Sequence, residues 1–274
     1  MNTPFSILFE DQWLLALDKP AGLLVAPDRW DNDLDNLMRL VREHTCPTCF
    51  NVHGLDRDAS GVVLCAKTKA MKQTACGMFE SGRTLREYVT IVRGTPPTDN
   101  EGVIDLPIAP DPHHPGRMRT VTAHGTPAET RFRVIERWGG FAVLSVIPLT
   151  NRVHQIRVHL AAIHAPIVAD AMYGDGFGLA LSEIKPNYKQ KNTPEKPLLA
   201  RLALHASALS FDHPVTGCSM SVQAPLPEKF EIAIKYLRRF ANLQEQKNTT
   251  VSRNPKIPSF DRRVPSPHLS VKLS

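Results

Sequence analysis

Apolar positions along the chain change their period several times, and each change marks an element. Residues 7–17 run apolar, polar at Glu10-Asp11-Gln12, then apolar again. They read as strand, turn, strand, and Pro20 and Gly22 stop the second strand. Residues 34–41 place apolar side chains at 34, 37, 38, 40 and 41, the spacing of a short amphipathic helix. Residues 62–66 are continuously apolar and β-branched, so they predict a buried strand after a turn at Ser60 and Gly61. A second helix is expected over 70–81, with Met71, Ala75, Met78 and Phe79 on one side and Gly82 past its end. Residues 83–94 alternate as a strand. Residues 128–136 and 141–149 form two more around Gly139-Gly140.

The remaining stretches are more varied. Residues 102–127 are rich in Pro, His and Arg with short strands, and residues 183–197 are a lysine-bearing polar loop. A short helix is predicted to start near Val153, and a final one spans 228–240. From 241 on the chain is polar and rich in Pro and Ser, with little to bury, and predicts a disordered tail. The organisation expected is one domain over 1–240 and a basic tail over 241–274.

Composition narrows the class. The chain has 274 residues, enough for a proper core, and 42% of them are hydrophobic. No run of apolar residues is long enough to span a bilayer. The first ten residues lack the basic, apolar and small-residue zones of a secretory leader, so a reducing cytoplasm is expected. Five cysteines fit that expectation better than a disulfide framework does. Cys46-Pro47-Thr48-Cys49 lacks a second ligand pair for zinc and reads as incidental loop thiols. Net charge is +6, which suits a polyanion, but six Lys or Arg against two Asp or Glu in the tail supply most of the excess.

Chemistry concentrates at residues 53–67, His-Gly-Leu-Asp-Arg-Asp-Ala-Ser-Gly followed by the buried strand and Ala-Lys. A carboxylate at the mouth of a buried strand is positioned by a rigid element, and Asp56 is the candidate. A salt-bridged turn of Asp56, Arg57 and Asp58 accounts for the same residues.

This stretch resembles the central motif of RluA-type RNA pseudouridine synthases, H-R-L-D-R-x-T-S-G, with Gly54 in place of Arg and Ala59 in place of Thr. Other segments resemble the same family in the same order. They are the hairpin ending in Lys19-Pro20-Ala21-Gly22, the strand carrying Tyr88, and Arg152-Val153-His154-Gln155-Ile156-Arg157-Val158-His159-Leu160 with Pro166-Ile167-Val168-Ala169-Asp170. Two more are Leu204-His205-Ala206 and Phe211-Asp212-His213-Pro214-Val215-Thr216-Gly217. The resemblance covers residues 7–240.

It implies an α+β fold, a mixed and mainly antiparallel sheet with flanking helices and a central catalytic cleft. It also implies an enzyme that isomerises uridines of rRNA or tRNA to pseudouridine. The N-glycosidic bond breaks and the base rejoins through carbon, so no atom is gained or lost and no cofactor is needed. Asp56 would be the catalytic carboxylate, Arg157 the cation that keeps it ionised, and Tyr88 the ring beside the base. Reaching the uridine would require base flipping. RNA would be held by Arg57, Arg152, His154 and the loop bearing Arg117 and Arg119. Leu202 or Leu204 would line the pocket, with Leu204 the named candidate. The protein expected is a monomer with RNA as its partner and no membrane contact. A catalytically silent RNA-binding protein on the same scaffold is the alternative. A metal-dependent hydrolase fits poorly, because His154 and His159 are five residues apart with no carboxylate ligand nearby.

Overall fold

A computed structural model describes residues 3–27, 34–98, 100–189 and 192–241. The proposed tail beyond Ala241 lies outside the described residues. In chain order the elements begin with strands β1 (Ser6–Glu10) and β2 (Leu14–Lys19), helix α1 (Leu37–His44), and strands β3 (Phe50–Asn51) and β4 (Ser60–Ala66). Helix α2 (Lys69–Glu80) and strand β5 (Thr84–Arg93) follow, then β6 (Glu101–Asp105), β7 (Ile108–Pro110), β8 (Met118–Thr120), β9 (Glu129–Trp138) and β10 (Phe141–Pro148). Helices α3 (Gln155–Ala162) and α4 (Leu181–Ile184), strands β11 (Leu204–Asp212) and β12 (Ser219–Gln223), and helix α5 (Glu228–Phe240) complete the chain.

The chain packs as two compact units. Residues 1–89 and 201–227 form the first, and residues 90–200 and 228–274 the second, so that β5 changes unit after Val89. In the first unit the strand order is β1-β2-β4-β11, with β3 on β4 and β12 on β11. Its pairs are antiparallel except β4–β11, which is parallel. In the second unit β10, β9 and β6 form an antiparallel order, and β7 and β8 form a separate hairpin. The sheet is therefore mixed and mainly antiparallel, with few helices.

The continuous apolar runs have a simple cause. Successive residues of a strand point to opposite faces, and β2 and β4 are covered on both. Leu14, Ala16, Val62, Leu64 and Ala66 pack with Met71, Ala75 and Met78 of α2. Leu15, Leu17, Val63 and Cys65 pack with Leu37, Met38 and Val41 of α1.

Three expectations shift. Helix α1 starts at Leu37 rather than 34 because the Asn36 side chain accepts the Arg39 N–H at 2.9 Å and caps it there. It then continues to His44, where the apolar stripe had already ended. Helix α3 starts at Gln155 rather than 153 because His154 is left-handed, at φ 55°. The C-x-x-C thiols are not incidental loop groups either. Cys49 is buried with Cys65 in the α1 core, and Cys46 packs against it.

Candidate active site

In the first unit the loop that carries Asp56 is pinned at both ends and in the middle. At its start His53 is buried and stacks on Phe79, with ring centroids 4.7 Å apart. Its Nε2 accepts the Leu64 N–H at 3.0 Å, which leaves Nδ1 to donate to the Gly54 carbonyl at 3.1 Å. Burial holds this imidazole neutral, with its pKa down at about 4.

In the middle, the Arg57 carbonyl accepts from the Gly22 N–H at 2.8 Å and from the Lys19 ammonium at 3.0 Å. Lys19 is fully buried and spends its other two donors on the carbonyls of Pro20 and Leu23. Burial lowers its pKa to about 7, against the opposing pull of Asp58 and Asp56. The Ala59 N–H closes a turn onto the Asp56 carbonyl at 3.2 Å.

At the loop's end, Ser60 donates to His205 Nδ1 at 2.9 Å and accepts from Arg201 at 3.2 Å. His205 Nε2 reaches the Ala224 carbonyl. Burial lowers the His205 pKa to about 4. The next residue is Gly61, at φ +112°. A Cβ there would lie 2.1 Å from the Ala206 carbonyl oxygen, so only glycine permits this approach of β4 to β11. Asp18, Lys19, Ser60 and Arg201 also line a cavity of about 560 Å³.

The same unit holds Tyr88 on β5, almost fully buried. Burial raises its phenol pKa. Arg86 opposes that shift and the charge of Asp56 adds to it, which shows Tyr88 and Asp56 to be within electrostatic reach of each other. Arg57 is exposed, and its Nε donates to the Gly22 carbonyl at 3.2 Å. Leu204 and Leu202 are both buried.

The second unit holds Arg157, Arg152, His154, Arg117 and Arg119. Arg157, on α3, is buried and forked onto Asp170. Its Nε donates to Oδ2 and its Nη2 to Oδ1, both at 2.8 Å. Burial alone would raise the Asp170 pKa. The guanidinium and the N–H groups of Met172 and Tyr173 outweigh that and hold it low. A fixed planar cation on a locked carboxylate keeps one orientation.

Gln155 anchors the start of α3. Its carbonyl accepts from Thr150 and the Arg152 N–H, and its amide donates to Glu129 and Thr130. Arg152 is exposed and donates to the Pro127 carbonyl. His159 is buried between Thr130 and the Leu106 carbonyl, so it is a structural group. His154 meets the Tyr173 hydroxyl at 2.9 Å. No three potential ligands converge on a metal position among the described residues. Arg119 is exposed on β8, while the Arg117 guanidinium lies 5.3 Å from the Tyr173 ring centroid.

Sequence reasoning did not single out Asp170, Tyr173 or Lys19. Each sits in a segment that already carried the resemblance, but their roles depend on burial and on partners far along the chain.

Comparison with known proteins adds to this geometry. Residues 13–162 match the family described as RNA pseudouridylate synthase. The ribosomal large subunit pseudouridine synthase D of Nitrosomonas europaea is 34% identical over 239 residues. That alignment covers 86% of this chain and 66% of the relative, so the chain spans just under two thirds of that protein's length. The dual-specificity RNA pseudouridine synthase RluA of Escherichia coli K12 is 34% identical over 223 residues, covering 80% of this chain and 92% of that protein. Among solved structures, human RNA pseudouridylate synthase domain containing 4 superposes with a TM-score of 0.64 at 24% identity. It covers 85% of this chain and 93% of that one, and shows the shared fold.

Proposed function

The chain belongs to the RNA pseudouridylate synthase family, and from that premise we propose that it isomerises uridine to pseudouridine in RNA, with Asp56 as the catalytic carboxylate. Large-subunit ribosomal RNA is the proposed substrate. Relatives that match most of this chain carry that substrate in their names. Transfer RNA is the second substrate to be tested.

The observation that carries the reading is the Asp56 loop. It stands in the family's central motif and is fastened through His53, Lys19, Gly22 and Ser60. Such fastening supports a carboxylate that must meet one sugar carbon in one geometry. Arg157 is proposed as the permanent cation of the reaction and Tyr88 as the ring that flanks the base. Leu204 is proposed as an apolar wall. Arg57, Arg152, Arg119, Arg117 and His154 are proposed to take RNA contacts. The chemistry is an isomerisation within one nucleotide and calls on no cofactor.

The test is direct. Ribosomal and transfer RNA transcripts free of pseudouridine are incubated with the protein, and new pseudouridines are mapped chemically. Asp56→Asn keeps the shape and removes the anion, so it should be folded and at least about a thousandfold slower, roughly 4 kcal/mol in the barrier. A folded Asp56→Asn protein with near-normal turnover would overturn the assignment. Binding of RNA by the unaltered protein without any isomerisation would favour the silent RNA-binding alternative.

A further inference from the structure

Tyr173 lies at the meeting point of the second unit's cations. Its ring is buried, with the Arg157 guanidinium 5.1 Å and the Arg117 guanidinium 5.3 Å from the centroid. Its hydroxyl accepts the N–H of Met118, the first residue of β8, at 2.8 Å, and it meets His154 Nδ1 at 2.9 Å. Its own N–H donates to Asp170 Oδ1 at 3.1 Å, the oxygen that also receives Nη2 of Arg157. A phenol hydroxyl has one proton to give and two lone pairs, so accepting from Met118 leaves the proton for His154. One side chain thus touches the β7–β8 hairpin, the residue before α3, and both members of the Arg157–Asp170 pair.

We propose that Tyr173 is a positioning residue that transmits RNA engagement at the β7–β8 hairpin to the Arg157 guanidinium. This rests on the proposed isomerase reading for what Arg157 does. The hairpin presents Arg119 to solvent beside Arg117, whose nearest carboxylate, Asp111, stands 4.0 Å away. A phosphate drawn to this pair competes for Arg117 with the Tyr173 ring and pulls on β8. Because Met118 is bonded to the phenol oxygen, that movement reaches His154 at the head of α3. It also reaches Asp170, which sets the plane of Arg157. Cation–ring contacts and charged hydrogen bonds depend on direction, so a small rotation of the phenol changes the energy of both guanidinium groups.

The test uses the full chain and two RNAs that contain the same target uridine. The longer one is chosen because Arg119→Gln weakens its binding, and the shorter because Arg119→Gln does not. Single-turnover rates are measured at saturating protein. In the unaltered protein the longer RNA should react about tenfold faster. In Tyr173→Phe, which keeps the ring and removes the hydroxyl, the ratio of the two rates should fall to about one. A merely structural defect scales both rates and leaves the ratio standing, and that result overturns the proposal. Arg117→Gln should lower the ratio as well. The double variant should lower it no further than either single change, since contacts in one network are not additive.

A second readout separates this idea from the activity itself. The Arg157 Nε–H resonance should shift when the longer RNA binds the unaltered protein and stay in place in Tyr173→Phe. If no RNA is isomerised at all, the activity reading fails while the resonance still decides the coupling. An equal shift in both proteins overturns it.

Discussion

Replacing Gly61 with alanine puts a single methyl group where the structure has no room for one. Two costs add. The residue sits at φ +112°, where an L side chain is strained by about 1–3 kcal/mol. The new Cβ would lie 2.1 Å from the Ala206 carbonyl oxygen and 2.8 Å from the Ala206 nitrogen. These are backbone atoms of a paired strand, so the strands themselves must part. Parting them breaks the pairing of Ser60 with His205 and of Gly61 with Ala206, together with the buried Ser60–His205 hydrogen bond. Each such bond contributes about 1 kcal/mol net, and a buried group left unpaired costs more. The expected loss is about 3–6 kcal/mol, a large part of the roughly 5–15 kcal/mol that keeps a domain folded.

Gly54, seven residues earlier, is the matched control. It is exposed, its φ is not in the left-handed region, and a Cβ there would meet nothing within 4 Å. Urea unfolding followed by circular dichroism should therefore give Gly54→Ala a stability within about 0.5 kcal/mol of the parent, as expected for an unconstrained surface position. Gly61→Ala should unfold far earlier or accumulate insoluble. Gly61→Ala with the same midpoint as Gly54→Ala would refute the close-approach argument, and with it the claim that the β4–β11 contact holds the end of the Asp56 loop.

Other expectations follow from the same geometry. Arg157→Lys keeps the charge but loses the planar fork onto Asp170. It should slow isomerisation at least about tenfold, or roughly 1.4 kcal/mol, and full activity in Arg157→Lys would remove Arg157 from the reaction. Lys19 titrates near pH 7 when folded but at its ordinary, higher value when unfolded. The unfolded chain therefore holds more protons between those values, and stability should rise with pH above about 7, by at most about 1.4 kcal/mol per unit. That gain is absent below the folded pKa and should vanish in Lys19→Met, as urea unfolding at neutral and alkaline pH would show. Gly54 stands where the family motif has Arg, and its backbone accepts a side chain. The unaltered protein should thus prefer uridines already unstacked in loops over the same uridine in a duplex, and Gly54→Arg should narrow that gap. Equal rates on paired and unpaired targets in the unaltered protein would disprove the preference.

Sequence alone determined what depends on near neighbours. The double coverage of β2 and β4 was legible in their unbroken apolar runs, because a strand buried on both faces has no polar position to spare. The order of motifs around Asp56, Tyr88, Arg157 and His205 was legible because the family repeats residue types at short, countable intervals. Element ends were less so. The start of α1 was settled by the cap at Asn36 and that of α3 by the left-handed turn at His154, details smaller than any apolar period.

Tertiary structure decided which groups are buried and what they face. His205 meets Ser60 across 145 positions of chain, and Lys19 reaches the Arg57 carbonyl across 38. Tyr173 receives Met118 across 55. No spacing rule reports such pairs, because folding the sheet, not the local backbone, brings them together. Asp170 shows the division most plainly. In the sequence it is the last letter of a motif. In the fold it is a buried anion whose charge is held by the Arg157 fork and two backbone N–H groups, and burial without those partners would have pushed it toward the neutral form.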